Sequence, residues 1–219
     1  MEFYRRVRVA AAQATGALDV ADHEPLYRAC AELLSELIAH APARDQVACS
    51  KGCNFCCHQK VLVSRVEAEV IAAELRRRGE AVVEAVQRLL TVRARQSAGF
   101  ATAAEHWRSR LPCAFLDQDG GCGVHAVRPL VCRGYQSLSR DACQEKYVDD
   151  EAPRPPIDRY GHFAGNAVLR GLRDALAVGG ADGALHELHG AVLAALTKEG
   201  IVLIVGMMGL YVLVVERRP

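Results

Sequence analysis

Apolar residues recur at helical spacing along most of the chain. Leu26, Cys30, Leu33, Leu34, Leu37 and Ile38 fall three or four residues apart, and Asp22 stands where an N-cap belongs. A loop around Pro42 to Asp45 follows. Ser64 and Glu67 then form a capping box ahead of Val66, Val70, Ile71 and Leu75, and Gly79 ends that helix. A third helix is predicted from about Glu80, with Val82, Val83, Val86, Leu89 and Leu90 on one side, continuing or restarting through Trp107. Two more fit residues 160–177 and 182–198, the second turning Leu185, Leu188, Val192, Leu193 and Leu196 inward. Between Leu111 and Tyr135 the period is lost, because Pro112, Gly120, Gly121, Gly123, Pro129 and Gly134 break any long element. The stretch Glu151 to Pro156, with three prolines, reads as a connector.

The two ends need separate treatment. The N-terminal stretch carries Arg5, Arg6 and Arg8, but Gln13, Thr15 and Gly16 interrupt any core of signal-peptide length. It is read as an ordinary helix start, and the expected location is cytoplasmic. At the other end, Ile201 to Val215 is a run of fifteen apolar residues followed by Glu216, Arg217 and Arg218. As a helix it covers about 22 Å, short of a hydrocarbon core about 30 Å thick. The expectation is a tail that packs internally or pairs with a protein partner or a second copy, not a membrane span.

Composition changes the picture in one respect. Charges nearly cancel, 27 basic against 26 acidic residues for a net +1, which argues against nucleic-acid binding through phosphate neutralisation. Aromatics are 5%, too few for stacking platforms. Nine cysteines in 219 residues, however, are about twice an ordinary intracellular load. A reducing compartment disfavours disulfides and favours metal or redox chemistry.

Cys49, Cys53, Cys56 and Cys57 lie in CSKGCNFCC, and Cys113, Cys122, Cys132 and Cys143 follow at near-regular intervals. The C-x-x-C spacing of Cys53 and Cys56 lets two thiolates converge on one ion, and Gly52 permits the tight backbone that such a knuckle needs. Cys53, Cys56, Cys122 and Cys132 are expected to form the primary site, with Cys49, Cys57, Cys113 and Cys143 completing it or making a second. Cys30 sits on an apolar stripe and is expected in the core. Lys51, Arg128 and Arg133 lie close enough in sequence to offset thiolate charge. His58 is expected at the surface. His125 is read as a packing residue, with an extra ligand as the alternative. In His186-Glu187-Leu188-His189 the histidines are three apart, the wrong register for a zinc-protease helix, so a partly exposed helix face is expected.

The string Gly52-Cys53-x-x-Cys56-Cys57, then Pro112-Cys113-x-Phe115-Leu116, Gly121-Cys122 and Arg128-Pro129-x-x-Cys132-Arg133-x-Tyr135, resembles the YkgJ-type cysteine-cluster family. His125 departs from it where a tyrosine usually precedes the Arg-Pro. The resemblance implies a domain that chelates zinc or iron and implies no reaction.

The expected fold is mainly α: a single irregular helical domain over residues 1–200, core motif 49–143, with cysteine-bearing loops around a metal site and an apolar tail over 201–219. The expected function is metal binding, with zinc or an iron–sulfur cluster as cofactor and iron slightly favoured. Phosphate loops, dinucleotide fingerprints and nucleophile elbows are missing from the sequence, so an enzyme is not the leading reading. Two alternatives stay open. One is an iron–sulfur methyltransferase resembling flagellin lysine N-methylase; the other is a thiol redox switch at Cys53 and Cys56.

Overall fold

The computed structural model describes residues 2–197. Ile201 to Val215 lies outside the described residues. The N-terminal arginine-bearing stretch is helix α1 (Glu2–Gly16), and the stripe from Leu26 to Ile38 lies in α2 (His23–Ala39). Asp22 precedes α2 in extended backbone without a side-chain cap bond. The capping box at α3 (Arg65–Arg77) forms as expected: Glu67 N donates to Ser64 Oγ at 3.3 Å and Ser64 N to Glu67 Oε2 at 2.8 Å. Helix α4 (Glu80–Ala98) stops at Gly99, and a second capping box, Thr102 with Glu105, restarts the chain as α5 (Ala103–Arg108).

Residues 111–135 hold more structure than their punctuation suggests. They include the short helix α6 (Leu130–Gly134), and α7 (Arg140–Val148) follows, started by Ser139. Helix α8 (Arg159–Val178) is capped by Asp158, which accepts from Tyr160 N and Gly161 N at 3.0 Å each. The helix expected from residue 182 begins only at α9 (Leu188–Thr197). Asp182 accepts from Ala184 N at 2.8 Å in a local turn instead. His186–Glu187 forms strand β2, antiparallel to β1 (Leu62–Val63), with Leu62 opposite Glu187 and Val63 opposite His186.

Two apolar clusters result. In the first, Leu26, Cys30 and Leu34 of α2 meet Leu130 of α6 and Val168 and Leu172 of α8, all fully buried, while Val7 and Ala11 join from α1. Cys30 is therefore a core residue, its thiol pushed up to about 12 by burial. The second cluster joins Ile71 and Leu75 of α3, Leu90 of α4 and Val192 of α9 with Phe115 and Val124 from the loop region. Helix α3 serves both, since Val66 and Val70 face the first cluster while Ala68, Ile71, Ala72 and Leu75 face the second. At about 1.5–3 kcal/mol per buried aliphatic side chain, these stripes supply the main driving force. Among the described residues no helix is long and apolar enough to cross a membrane.

Candidate metal centre

The first cysteine segment is a tight knuckle. Gly52 has φ +85°, a left-handed conformation that explains a glycine immediately before Cys53. Cys53 N donates to Ser50 O at 3.0 Å, and Phe55–His58 forms one 3-10 turn in which Cys57 N donates to Asn54 O at 2.8 Å. That turn lets the adjacent Cys56 and Cys57 serve one neighbourhood. Cys113 N donates to Cys57 O at 2.8 Å, so the second segment docks on the first through its backbone. Cys122 closes a small loop from Cys113: it bridges Leu116, while Asp117 Oδ1 accepts from Gly121 N at 2.6 Å. Cys132 rides on α6, whose Leu130 N donates to Glu67 Oε1 at 2.9 Å. Cys143 rides on α7 and is buried.

Electrostatics groups the thiols into two overlapping neighbourhoods joined by Cys56. Burial raises Cys132 well above the ordinary thiol range, and Cys113, Cys56 and Cys122 raise it further. Cys113 is pushed up to about 11, chiefly by burial, with Cys56 contributing. Cys122 is raised by burial and by Cys113. Cys56 is raised by a hydrogen bond to Cys57 and then by burial. The second neighbourhood is Cys49, Cys53 and Cys143. Burial raises Cys53, and Cys49, Cys56 and Cys143 add to it; Cys143 is raised by burial and then by Cys49 and Cys56. Ser137 N donates to Cys49 Sγ at 3.2 Å on this side. Cys113 interacts with Cys56, Cys122 and Cys132, and Cys53 also interacts with Cys56. Each of the eight candidate cysteines interacts with at least one other, while Cys30 lies apart in the helical core.

The basic residues sort equally clearly. Arg128 is pushed down by burial and by Arg133, and the thiols of Cys132, Cys122 and Cys56 push it back up. Its Nε is buried without a hydrogen-bond partner, as is Arg133 Nε. Arg133 Nη2 donates to Tyr27 Oη at 3.3 Å, and Tyr27 Oη donates to Arg128 O at 2.8 Å, so α2 helps to fix both arginines. Lys51 is exposed. His125 is exposed as well and does not pack. His58, expected at the surface, is buried against Tyr147 of α7, with ring centroids 4.8 Å apart. Burial lowers its pKa.

The donor chemistry fits a thiophilic cation. Four mutually opposing thiols beside an under-bonded arginine can lose their protons together only when a strong positive charge arrives. Among the described residues no three Cys, His, Asp or Glu side chains already stand in ion-gripping geometry. Tyr135, which the sequence motif already includes, interacts with Cys56, Cys143 and Cys49, whereas spacing arguments overlooked Ser137, whose contact with Cys49 is made through its backbone N–H and so leaves no local signal. No curated protein and no solved structure matches the chain. Residues 48–152 match the model of a family described as "CxxCxxCC: Putative zinc- or iron-chelating domain", the cysteine-cluster family that the sequence resembles.

Proposed function

We propose that the chain binds a metal centre through Cys56, Cys113, Cys122 and Cys132 as thiolates, with zinc or iron as the metal. The single observation that carries this reading is the gathering of four half-buried cysteines from three separate segments, with Cys113 N docked on Cys57 O and with Cys56, Cys113 and Cys122 all raising Cys132. Cys57 hydrogen-bonds Cys56, and Cys49, Cys53 and Cys143 form the flanking set that completes the centre or holds a second ion. The surplus over one tetrahedral site favours iron, since iron–sulfur centres and zinc sites both take thiolates but zinc closes at four. When bound, the metal supplies the positive charge that lets the thiols ionise. Arg128 offsets the remaining negative charge, and the knuckle backbone presents the thiolates.

The test is metal content. Protein purified without oxygen is expected to carry stoichiometric zinc or iron, iron announcing itself by broad absorption near about 400 nm from thiolate ligation. Cys113→Ser and Cys132→Ser should lose most of the metal and Cys30→Ser should keep it. Full metal content in both site variants, or loss in Cys30→Ser alone, overturns the assignment.

A further inference from the structure

The motif His186-Glu187-Leu188-His189 does something that its sequence register did not suggest. It lies outside residues 48–152, yet it contacts the strand that follows the first cysteine segment and the loop that carries Cys113. Through β2 it pairs with β1, just beyond the knuckle, and Leu188 N donates to Val61 O at 3.0 Å. His189 is 4% exposed, at the start of α9. Its Nε2 accepts from Ala114 N, the residue next to Cys113, at 3.2 Å. Because Nε2 accepts, the ring proton of neutral His189 sits on Nδ1. Nδ1 stands 2.8 Å from Glu187 Oε1, at an angle poorer than a full hydrogen bond requires. Glu187 is itself anchored, its Oε2 accepting from Gly190 N at 3.0 Å.

We propose that Glu187 and His189 are positioning residues for Cys113: the carboxylate orients the imidazole, and the imidazole holds the Cys113–Ala114 backbone against the knuckle. The pair acts through Ala114 and Cys113, and it is not itself a ligand. Burial would push Glu187 up, but His189 and the Gly190 N–H outweigh it and hold the carboxyl below its usual range, so a charge faces the Nδ1 proton. The same loop is held from the other side by Cys113 N donating to Cys57 O. A carboxylate–histidine pair behind a metal loop fixes where the ligand sits before the metal arrives. The consequence for metal affinity rests on the proposed metal site, whereas the positioning itself does not.

The experiment follows the thiol directly. Metal-free full-length protein is alkylated with iodoacetamide under native conditions and each cysteine is quantified by peptide mass spectrometry. In His189→Ala and Glu187→Ala, Cys113 should label about tenfold faster, as expected when an anchoring bond is lost and a local opening becomes cheaper. Cys30, in the other apolar cluster, should keep its wild-type rate. Glu187→Gln retains an acceptor for the Nδ1 proton and should restore slow labelling. Zinc or iron affinity should fall by about 10–100-fold in His189→Ala. Unchanged Cys113 labelling in His189→Ala overturns the proposal, and so does equal acceleration at Cys30, which would mark general unfolding. Glu187→Gln labelling as fast as Glu187→Ala also overturns it. If Cys113 responds as expected while wild-type protein takes up no metal, the positioning pair stands and the metal reading falls.

Discussion

Glu67 has no exposed surface, and it accepts from Ser64 N and Ser64 Oγ at 2.8 Å and from Leu130 N at 2.9 Å. One carboxyl therefore caps α3 and tethers α6, the helix that carries Cys132. Burial raises its pKa despite those three donors. Removing it strands two buried backbone N–H groups at about 1–3 kcal/mol each, so Glu67→Ala should cost on the order of 3 kcal/mol in urea unfolding. The Ser64 half of this arrangement is legible three residues away as a capping box. The Leu130 half is not, because the donor lies 63 positions along the chain and nothing local marks it.

Among the elements, the long helices announce themselves by period, whereas α6, β1 and β2 do not. A five-residue helix and a two-residue strand have almost no stability of their own and exist because neighbours pack on them. The α6–α8 crossing shows how. A methyl group on Gly134 would lie 2.5 Å from Gly161 O, so the two backbones touch with no room for a side chain. Gly171 plays the same part between α8 and α1, where a methyl would collide with Arg8 O and Ala11 Cβ. Each Gly→Ala change should destabilise by about 1–3 kcal/mol through overpacking. Their effects on metal should diverge. Gly134→Ala displaces α6, and with it Cys132, so metal stoichiometry falls. Gly171→Ala leaves metal content intact, because α1 carries no candidate ligand. Elemental analysis alongside thermal melts separates the two.

Across the whole molecule, the first apolar cluster is built mainly from α1, α2 and α8, helices that carry no candidate ligand, while the second includes the cysteine-bearing loop. Chelation should therefore act unevenly. Hydrogen exchange after metal removal is expected to rise over residues 113–132 and to stay slow in α2 and α8; uniform acceleration would contradict a metal that supports only the loop side. The candidate ligands were readable from the sequence because cysteine is rare and C-x-x-C spacing carries its own chemistry. Their grouping into two overlapping neighbourhoods was not. It depends on Cys113 docking onto Cys57 O and on where Glu67 sets α6, and both contacts are decided by the folded backbone and not by spacing.

The pairing of Leu62 with Glu187 also sets a timetable. A ribosome adds about 5–20 residues each second, so the first strand emerges roughly 6–25 s before its partner exists. Over the last 44 residues of that interval, about 2–9 s, every one of the clustered thiols is already in the nascent chain, while β2 and His189, which would pin the loop behind Cys113, are still untranslated. Excising residues 48–152 makes the delay permanent. The matched segment by itself has all eight clustered cysteines and lacks the residues that would close over them.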